Sequence, residues 1–346
     1  MDKSEKVLLV ELSTPNHRSL IQAWIEINKS SHFDLLTTNS ICSKLQIQKD
    51  LFNEVIILKF SSFGELWRVC KNLKNRNYDR IVLVTLQSHI IKSLIFLTVG
   101  CPVDITVHNA RTWFVVNRIR TPFHFIKLFG RKLWLQLCNN IYVNSSNMLE
   151  YSESKTKKYL SIVPFSVNKN YDTQFSNSDV LRVVFPGEVN IRRKFYNNFL
   201  NLAKDYPNIQ FILLGKFSNH ESKTELTRRM EKDNIENLIT FDDYVSVEDF
   251  KSQMNNATVL FTDFNLFYEN SDFFEIYGKT KDTGISYLMR EYSLPAIISG
   301  NFKNFPELNE FTITFFDYNT LKMKFDVFIA DKNRLHEIRL KMLNIK

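Results

Sequence analysis

The sequence predicts two doubly wound, Rossmann-like α/β domains in tandem, and three observations support this fold class. The chain has 346 residues, which exceeds the usual size of a single hydrophobic core. Short runs of β-branched and aliphatic residues alternate with longer amphipathic segments, and the alternation starts again after a polar stretch at 166–180. Polar residues do not interrupt these runs at every second position, which is typical of parallel strands buried on both faces.

The first half of the chain contains six candidate strands. They lie at 6–12, 33–38, 54–60, 80–86, 104–109 and 141–145. A helix is predicted at 63–77, between the third strand and the fourth. We therefore predict an N-terminal domain over residues 1–168.

The second half repeats the pattern with six further candidate strands. They lie at 181–187, 209–216, 238–244, 258–264, 295–300 and 312–317, with helices at 221–233 and 247–256. We predict a second domain over 169–330 and a C-terminal helix over 331–346 that can cross back to the first domain. Parallel sheets bind ligands beyond the carboxyl ends of their strands, so the two domains are expected to face a central cleft.

Charge and cysteine usage narrow the class of protein. Lys and Arg number 45 against 37 Asp and Glu, a net charge of +8 that favours a phosphate-bearing partner. The four cysteines do not stand at metal-ligand spacing and are predicted to be buried free thiols in a reducing compartment: Cys42, Cys70, Cys101 and Cys138. The charged N-terminus does not resemble a signal peptide, and the longest apolar run is too short for a bilayer. We expect a cytoplasmic protein, with a peripheral position at the inner face of the plasma membrane as an option.

Basic residues follow the first strand of the second half, in "FPGEVNIRRKF". Gly187 permits a tight turn, and Arg192, Arg193 and Lys194 are predicted to open the next helix. Cations beside a helix N-terminus suit a diphosphate, and a solvated basic helix start is the alternative.

The next two strands end in "LLGK" and "FDDYVSVEDF". Gly215 and Lys216 join the predicted donor site. Ser246 is predicted to cap the following helix. Tyr244 and Val245 lie where a planar base can rest, although Tyr244 also suits a core position.

The segment "YGKTKDTG", residues 277–284, is not a Walker loop, because Phe273 stands where that motif has its first glycine. A helix-like segment follows it. Thr283, Gly284 and Ser286 are therefore predicted at a helix N-terminus, just after the cations Lys279 and Lys281, and together these residues would form an oxyanion cradle.

Four segments between residues 139 and 299 resemble, in order, those of glycosyltransferases of the two-Rossmann-domain (GT-B) type. The nearest set is the group-1, family-4-like one. The segments are "NNIYVNSSNMLEY…YLSIVPFSV", "VVFPGEVNIRRKF…IQFILLGK", "ITFDDYVSVEDFKSQMNNATVLF" and "GISYLMREYSLPAIIS". The family's paired glutamates are absent: Thr280 and Leu288 occupy the aligned positions, and Ser293 replaces a glycine. Glu275, Glu188 and Glu291 are candidate substitutes.

The resemblance implies transfer of a sugar from a UDP- or GDP-linked donor to a glycan or lipid-linked acceptor, in bacterial polysaccharide or glycoconjugate synthesis. Lys194 and Lys281 would stabilise the leaving diphosphate, so neither a cofactor nor a metal is expected. In the resembling family a histidine at the position of His108 lies near the donor sugar, and a structural histidine is the alternative.

Three further residues are predicted on the acceptor side. Asn109 follows His108 at a strand end, and Asn16 and His17 lie in the first loop, where His17 can also serve as a general base. An epimerase, an inactive sugar-nucleotide-binding protein and a nucleic-acid-binding protein are the alternatives considered. The ordered donor-domain segments disfavour nucleic acid.

Cations and aromatic residues alternate at 111–137, and no Asp or Glu occurs from Ile105 to Leu149. The cations are Arg111, Arg118, Arg120, Lys127, Arg131 and Lys132, and the aromatics are Trp113, Phe114, Phe123, Phe125, Phe129 and Trp134. This mixture suits a surface on anionic headgroups or a lipid pyrophosphate. Core helices with basic outer faces are the alternative.

Overall fold

The computed structural model describes residues 4–14, 17–45, 49–59, 62–86, 89–115, 121–164, 180–270 and 273–344. They form two units: Met1–Asn168 with Tyr268–Asp282, and Lys169–Phe267 with Thr283–Lys346. The predicted class of two α/β domains with parallel sheets is confirmed. The predicted boundary at 168/169 lies outside the described residues. The division differs from the predicted one at 268–282, which belong to the first unit.

The first unit is built on a seven-stranded parallel sheet. Its strands are β1 (Lys6–Glu11), β2 (His32–Thr38), β3 (Glu54–Leu58), β4 (Arg80–Thr85), β5 (Val103–Val107), β6 (Ile141–Val143) and β7 (Leu160–Ile162). They are ordered β3-β2-β1-β4-β5-β6-β7. The order reverses between β1 and β4, and ligands of doubly wound sheets bind at such a switch point.

Both faces of this sheet are buried, as the uninterrupted aliphatic runs predict. Along β1, Leu8 and Val10 pack into one hydrophobic cluster, and Val7 and Leu9 pack into another on the opposite face. Successive side chains of a strand point to opposite faces, so a strand covered on both sides needs apolar residues throughout.

Six helices accompany this sheet among the described residues. They are α1 (Arg18–Ile27), α2 (Asn39–Leu45), α3 (Phe63–Leu73), α4 (Ala110–Phe114), α5 (Pro122–Leu137) and α6 (Ser146–Glu153). Single-turn or longer 3₁₀ segments occur at Lys49–Leu51, Lys74–Arg76 and Lys92–Val99.

The second unit repeats the architecture with a six-stranded sheet. Its strands are β8 (Arg182–Pro186), β9 (Gln210–Lys216), β10 (Leu238–Phe241), β11 (Val259–Thr262), β14 (Ala296–Ser299) and β15 (Thr312–Phe315). Their order is β10-β9-β8-β11-β14-β15, so the switch point lies between β8 and β11.

Helices of the second unit follow most of these strands. They are α7 (Asn197–Asp205), α8 (His220–Lys232), α9 (Val247–Asn255), α10 (Gly284–Tyr292), α11 (Tyr318–Ala330) and α12 (Lys332–Leu343), with a 3₁₀ segment at Pro306–Phe311. Ser246 caps α9 as predicted, because its hydroxyl accepts from the Asp249 N–H at 3.0 Å. The C-terminal helix α12 packs on the core of the second unit through Leu335 and Ile338.

A short hairpin connects the two halves of the second unit's sequence. Its strands are β12 (Phe267–Asn270) and β13 (Phe273–Ile276), which form a separate two-stranded sheet. The sequence did not predict these strands, and most of the hairpin belongs to the first unit.

Among the described residues, no helix is long and apolar enough to cross a membrane. Trp113 and Trp134, which were predicted for a membrane surface, are core residues, as the alternative interpretation held. Phe123, Phe125 and Phe129 are exposed. Residues 116–120, which include two of the predicted cations, lie outside the described residues.

The four cysteines are free; Cys70 and Cys138 are buried, and Cys42 and Cys101 are half-buried. Burial raises the pKa of Cys70 to about 12, which keeps this thiol protonated and unreactive.

Candidate functional site

A cavity of about 530 Å³ opens at the carboxyl ends of β8, β9 and β10 in the second unit. We call it the β8–β10 pocket. It is lined by Gly187, Glu188, Leu214, Gly215, Lys216, Tyr244, Val245, Val247, Phe250, Lys251, Glu291 and Tyr292. Five predicted donor-binding residues, Gly187, Gly215, Lys216, Tyr244 and Val245, therefore meet here.

No side chain covers the backbone where β8 and β9 end, because a glycine lies at each of these ends. Gly187 has φ +87°, a conformation that L side chains rarely adopt, and its N–H donates to the Leu214 carbonyl at 2.9 Å. A Cβ on Gly215 would lie 2.6 Å from the Gly187 oxygen and 2.7 Å from its carbonyl carbon. Both positions require glycine, and they leave backbone groups accessible to a ligand.

Tyr244 is the aromatic wall of the pocket. Its side chain is 78% exposed, which rules out the core position considered as the alternative. Val245 and Val247 line the same pocket. An open aromatic face with apolar neighbours suits stacking of a planar base.

Lys194 places a cation beside Gly187. Its Nζ donates to the Pro186 carbonyl oxygen at 2.8 Å and lies 5.0 Å from the centre of the Phe185 ring. Burial, and to a smaller extent the charge of Arg193, lower the pKa of Lys194 to about 7. An ammonium has three donors, and among the described residues only Pro186 accepts one of them. The other donors can serve an anionic ligand.

The three basic residues do not open a helix, so this part of the prediction is wrong. Asn190 forms a turn: its carbonyl accepts from the N–H groups of Arg193 and Lys194, and its side chain accepts from Arg192 N at 3.0 Å. The helix α7 begins only at Asn197. Side chain-to-backbone bonds of Asn compete with helix formation in this way.

The turn separates the roles of these cations. Arg192 Nη2 donates to Glu221 on α8 at 2.8 Å, and both side chains are largely exposed. Arg193 is also exposed. Lys194 is therefore the cation that the fold holds at the end of β8.

Asp263, directly after β11, positions the segment that carries Lys194, and the sequence analysis did not single it out. It is 4% exposed, and its carboxylate accepts from Asn198 Nδ2 at 2.8 Å. Its carbonyl accepts from Phe195 N at 2.8 Å, so it fixes the segment that carries Lys194. Burial raises its pKa. The sequence feature that could have identified Asp263 is an acidic residue directly after a strand at the switch point of the sheet.

A polar cluster occupies the switch point of the first unit, and its centre, Glu11, was also missed. Glu11 is fully buried at the end of β1, and its Oε1 accepts from Ser13 N at 2.8 Å and Thr14 N at 3.1 Å. Among the described residues its Oε2 accepts no hydrogen bond, and it lies 3.7 Å from His17 Nδ1. A buried carboxylate is thus directed at a histidine.

The histidines His17 and His108 lie against each other. Their ring centroids are 4.5 Å apart. The Thr85 hydroxyl, at the end of β4, contacts His17 Nδ1 and lies 3.4 Å from His108 Nε2. A carboxylate near Nδ1 favours the tautomer that carries the proton there and the basic lone pair on Nε2.

His108 is held as a neutral ring. Its Nδ1 lies 2.8 Å from Asn144 Oδ1, and its Nε2 lies 2.9 Å from the Val84 carbonyl oxygen. Burial, followed by the charge of His17, lowers the pKa of His108 to about 3 despite these two oxygens. His108 therefore carries no charge at neutral pH.

Two predicted residues, Asn109 and Lys281, contact each other next to His108, because residues 268–282 belong to the first unit. Lys281 Nζ donates to Asn109 Oδ1 at 2.6 Å, and Asp282 accepts from Ser145 Oγ at 2.6 Å. His108, Asn109 and Lys281 are thus brought to one edge of the first sheet.

Glu275 does not substitute for the missing glutamates. It is fully buried, and burial raises its pKa. Thr280, at the aligned position, donates to it at 2.6 Å. The other two candidates, Glu188 and Glu291, line the β8–β10 pocket.

The remaining predicted residues are divided between the units. Asn16 lies outside the described residues. Lys279 is exposed and belongs to the first unit. In the second unit, Thr283 precedes α10 without a side-chain cap bond, Gly284 begins this helix, and Ser286 is 1% exposed. The cradle that would combine them stays a prediction.

In the described part of the chain, no group of three or more His, Cys, Asp or Glu side chains is arranged to hold a metal ion. The expectation of metal-independent chemistry stays a prediction.

No protein-family model matches the chain, and no curated protein sequence matches it. Solved structures do resemble it. A glycosyltransferase from Rickettsia africae has a TM-score of 0.67 at 11% identity, over 99% of this chain and 94% of that one. HepE (Alr3699) from Anabaena, in complex with UDP, has a TM-score of 0.67 at 12% identity, over 98% and 93%.

A third similar structure belongs to an epimerase. The UDP-GlcNAc 2-epimerase from Neisseria meningitidis, bound to UDP-GlcNAc, has a TM-score of 0.57 at 13% identity, over 99% of this chain and 94% of that one. Identities this low establish the fold and not the activity. The chain has the two-domain α/β fold known as GT-B, which glycosyltransferases of known structure share with it.

Proposed function

We propose that the protein is a hexosyltransferase that moves a sugar from a nucleotide-diphosphate sugar to an acceptor hydroxyl. The observation that carries this proposal is the β8–β10 pocket. An exposed aromatic ring, Tyr244, lines the same cavity as the glycine backbone of Gly187 and Gly215, and Lys194 Nζ lies 3.3 Å from where a Cβ on Gly187 would stand. These features suit the planar base and the diphosphate of a nucleoside diphosphate.

The donor is proposed to be UDP-linked. HepE is known in complexes with UDP and with UDP-glucose, and the Neisseria epimerase in a complex with UDP-GlcNAc. Since these proteins share the fold, their ligands favour UDP over GDP among the donors that the sequence suggests.

Lys194 is proposed to promote departure of the nucleotide. In the reaction the bond between the sugar C1 and the diphosphate oxygen breaks, and a bond forms between C1 and the acceptor oxygen. Negative charge accumulates on the departing diphosphate. A fixed cation directed at that charge stabilises the transition state more than the ground state.

The acceptor proton requires a base, and we propose His17. Its Nδ1 faces Glu11, which stabilises the imidazolium that forms when Nε2 takes the hydroxyl proton. Glu11 would act as a positioning residue. His108, whose pKa is about 3, would stay uncharged beside His17.

The acceptor class is proposed from the resemblance alone. It is a glycan or a lipid-linked glycan in bacterial polysaccharide or glycoconjugate synthesis. Asn109, whose Oδ1 accepts from Lys281, would line this side.

Release of free nucleotide from a panel of nucleotide sugars tests the proposal. We expect UDP release from at least one UDP-sugar when glycan or lipid-linked acceptors are added, and much slower release by Lys194→Met. Absence of turnover, together with no change in melting temperature with any nucleotide, would refute it.

An epimerase is the second candidate, because the Neisseria epimerase shares the fold and the paired glutamates are missing. Incubation with the donor alone separates the two. An isomeric sugar formed without acceptor identifies an epimerase, whereas acceptor-dependent product identifies a transferase.

A further inference from the structure

A cavity of about 420 Å³ opens along the outer edge of β15 in the second unit. We call it the β15 groove. The strands β10 and β15 are the two outermost strands in the order of this sheet. The groove therefore lies at the edge opposite to β10, apart from the β8–β10 pocket.

The walls of the groove are mainly apolar. Ile313 lines it from the strand, and Met323 and Val327 line it from α11. Met323 and Val327 are 60% and 59% exposed, and they are neighbours on the helix surface because they are four positions apart. Leu321 and Phe325, both fully buried, form the core side of the same helix. An apolar side chain of a ligand can thus lie on Met323 and Val327 without displacing the core.

The backbone of β15 faces the groove at Thr312 and Thr314. The Phe315 carbonyl accepts from Gly300 N at 2.8 Å, so the backbone groups of Phe315 face β14. In a parallel ladder, the backbone groups of successive residues face alternately toward and away from the neighbouring strand. Those of Ile313 consequently also face β14, and those of Thr312 and Thr314 face outward.

Two of these four outward groups already have partners in the protein. The Thr312 N–H donates to the Asn309 carbonyl, and the Thr314 carbonyl accepts from Lys324 Nζ at 2.6 Å. Within the described ranges, the Thr312 carbonyl and the Thr314 N–H have no hydrogen-bond partner. One acceptor and one donor are therefore open, on either side of Ile313.

The two open groups fit a peptide in one direction. A strand added parallel to β15 would place one residue opposite Ile313, with its N–H on the Thr312 carbonyl and its own carbonyl on the Thr314 N–H. An antiparallel strand would need the Thr314 carbonyl, which already accepts from Lys324. An ionised fatty acid has no donor for the Thr312 carbonyl. The groove thus favours a parallel peptide over an antiparallel strand or an acyl chain.

Lys324 places a positive charge where the added strand would end. Its ammonium has three donors, and among the described residues only the Thr314 carbonyl accepts one. A carboxylate bound to the Thr314 N–H would lie beside this ammonium, because the N–H and the carbonyl of an extended residue point to the same side. Glu310 is the other charged residue in the described lining, and it is exposed and precedes β15. One cation and one carboxylate suit a single carboxylate ligand better than a phosphate dianion.

We propose that the β15 groove binds the carboxyl terminus of a partner protein as a short parallel strand. The last residue of the partner lies opposite Ile313, and its N–H donates to the Thr312 carbonyl. Its terminal carboxylate accepts from the Thr314 N–H and from Lys324 Nζ. This inference goes beyond the proposed function and does not depend on it.

The same arrangement specifies the last side chain of the partner. Facing residues of a parallel pair have their side chains on the same face of the sheet. Ile313 packs against the core cluster that contains Leu321 and Phe325 of α11, so the last side chain of the partner also points toward this helix. It would contact Met323 and Val327 and should therefore be apolar.

Fluorescence anisotropy with labelled peptides tests the proposal. The probes are three hexapeptides, labelled at the amino end, that end in Val, Leu or Phe with a free carboxylate, together with the carboxamide form of each. We expect a dissociation constant below about 1 mM for at least one free-acid peptide. Its carboxamide form should bind at least about tenfold more weakly, because it lacks the charge that Lys324 recognises.

Variants of α11 test the two parts of the groove separately. Lys324→Met removes the cation and Val327→Asp replaces the apolar wall, and each should weaken binding at least about tenfold. The matched control is Lys322→Met, which removes a neighbouring cation that pairs with Asp205 instead, and it should bind like the wild type. Melting temperatures and UDP affinities are measured on the same samples and should stay close to those of the wild type. Failure of this inference and failure of the proposed function are therefore distinguishable.

Three results would overturn the inference. The first is absence of binding of all three free-acid peptides to the wild type, which would leave Lys324 only the role of protecting an edge strand. The second is equal binding of the carboxamide forms, or of the free-acid peptides to Lys324→Met. The third is a peptide-free dimer that Val327→Asp dissociates, because a second copy of the chain would then fill the groove.

Discussion

The carboxylate of Glu275 accepts a hydrogen bond from the backbone N–H of Thr112, which lies 2.8 Å away and 163 positions earlier in the chain. The same carboxylate lies 3.3 Å from Arg111 N and accepts from the Thr280 hydroxyl. Free N–H groups at a helix start attract negative charge, so Glu275 acts as the cap of α4. A segment far along the sequence thus completes the first unit.

Replacement of this cap should weaken the first unit. Glu275→Gln places an amide where two backbone N–H groups and the hydroxyls of Thr112 and Thr280 require acceptors, so the free energy of unfolding should fall by about 1–3 kcal/mol. Urea denaturation measures the change. The control Glu310→Gln alters an exposed carboxylate and should leave stability unchanged. Equal stability of both variants would show that the cap contributes nothing.

Nucleotide affinity should depend on pH through Lys194. Its folded-state pKa of about 7 lies below the ordinary value of 10.5, so above pH 7 the ammonium is lost before the ligand binds. UDP affinity should therefore fall as pH rises above 7, by up to about tenfold per unit. Titration calorimetry measures this profile. Lys194→Met should bind weakly with a flat profile, and Lys232→Met, an exposed control on α8, should keep the wild-type profile.

Lys194 should also affect stability with a definite sign. Between pH 7 and 10.5 the unfolded chain binds more protons than the folded chain, so the free energy of unfolding of the wild type should rise with pH. This rise should be smaller in Lys194→Met. A parallel pH dependence in both proteins would argue against a buried ammonium.

The ring of Tyr244 should contribute stacking energy and little stability. Tyr244→Ala should weaken UDP binding by about 1–3 kcal/mol, the usual worth of base–aromatic stacking, whereas Tyr244→Phe should retain most of the affinity. Equilibrium dialysis with UDP measures both. Phe316→Ala removes a comparably exposed ring elsewhere in the second unit and should have no effect. If Tyr244→Ala binds UDP like the wild type, the base does not lie on this ring.

Glu11 and His17 should affect transfer without affecting donor binding. His17→Ala should lower the transfer rate by about 10²–10⁴, the range for general acid–base catalysis. Glu11→Gln should lower it less and should change the pH profile of the rate. His32→Ala, an exposed histidine at the start of β2, is the control. Loss of UDP affinity in the His17 or Glu11 variants would point to a structural role instead.

The contact between Gly187 and Gly215 should tolerate no side chain. Gly215→Ala places a Cβ 2.6 Å from a backbone oxygen, so stability should fall by about 1–3 kcal/mol and UDP binding should weaken. Gly64→Ala on α3 is the matched control, because a Cβ there meets nothing within 4 Å. It should stabilise the protein by up to about 1 kcal/mol. Thermal unfolding of the two variants checks both signs.

The sequence predicted the sheets well because their strands are buried on both faces, which leaves uninterrupted aliphatic runs. The three-residue strand β7 and the hairpin of β12 and β13 lack such runs and were missed. The rule that ligands bind beyond strand ends located Gly187, Gly215 and His108 correctly at those ends.

Residues that act through tertiary contacts were not predictable in the same way. No local sequence feature shows that Glu11 is buried beside His17, or that hydrogen bonds to Asn190 hold the basic residues in a turn instead of a helix. Ser293 is instructive: it stands where the resembling family has glycine, and its φ of +51° shows that the backbone keeps the left-handed conformation. The departure is thus one of side chain and not of backbone.

The return of residues 268–282 to the first unit has a consequence for dissecting the protein. A fragment that ends at residue 168 would lack Glu275 and leave the start of α4 uncapped. A fragment that begins at residue 169 would carry the hairpin without its docking surface. One cleavage therefore cannot yield two native halves, and a peptide of residues 268–282 supplied in trans should complement the N-terminal fragment.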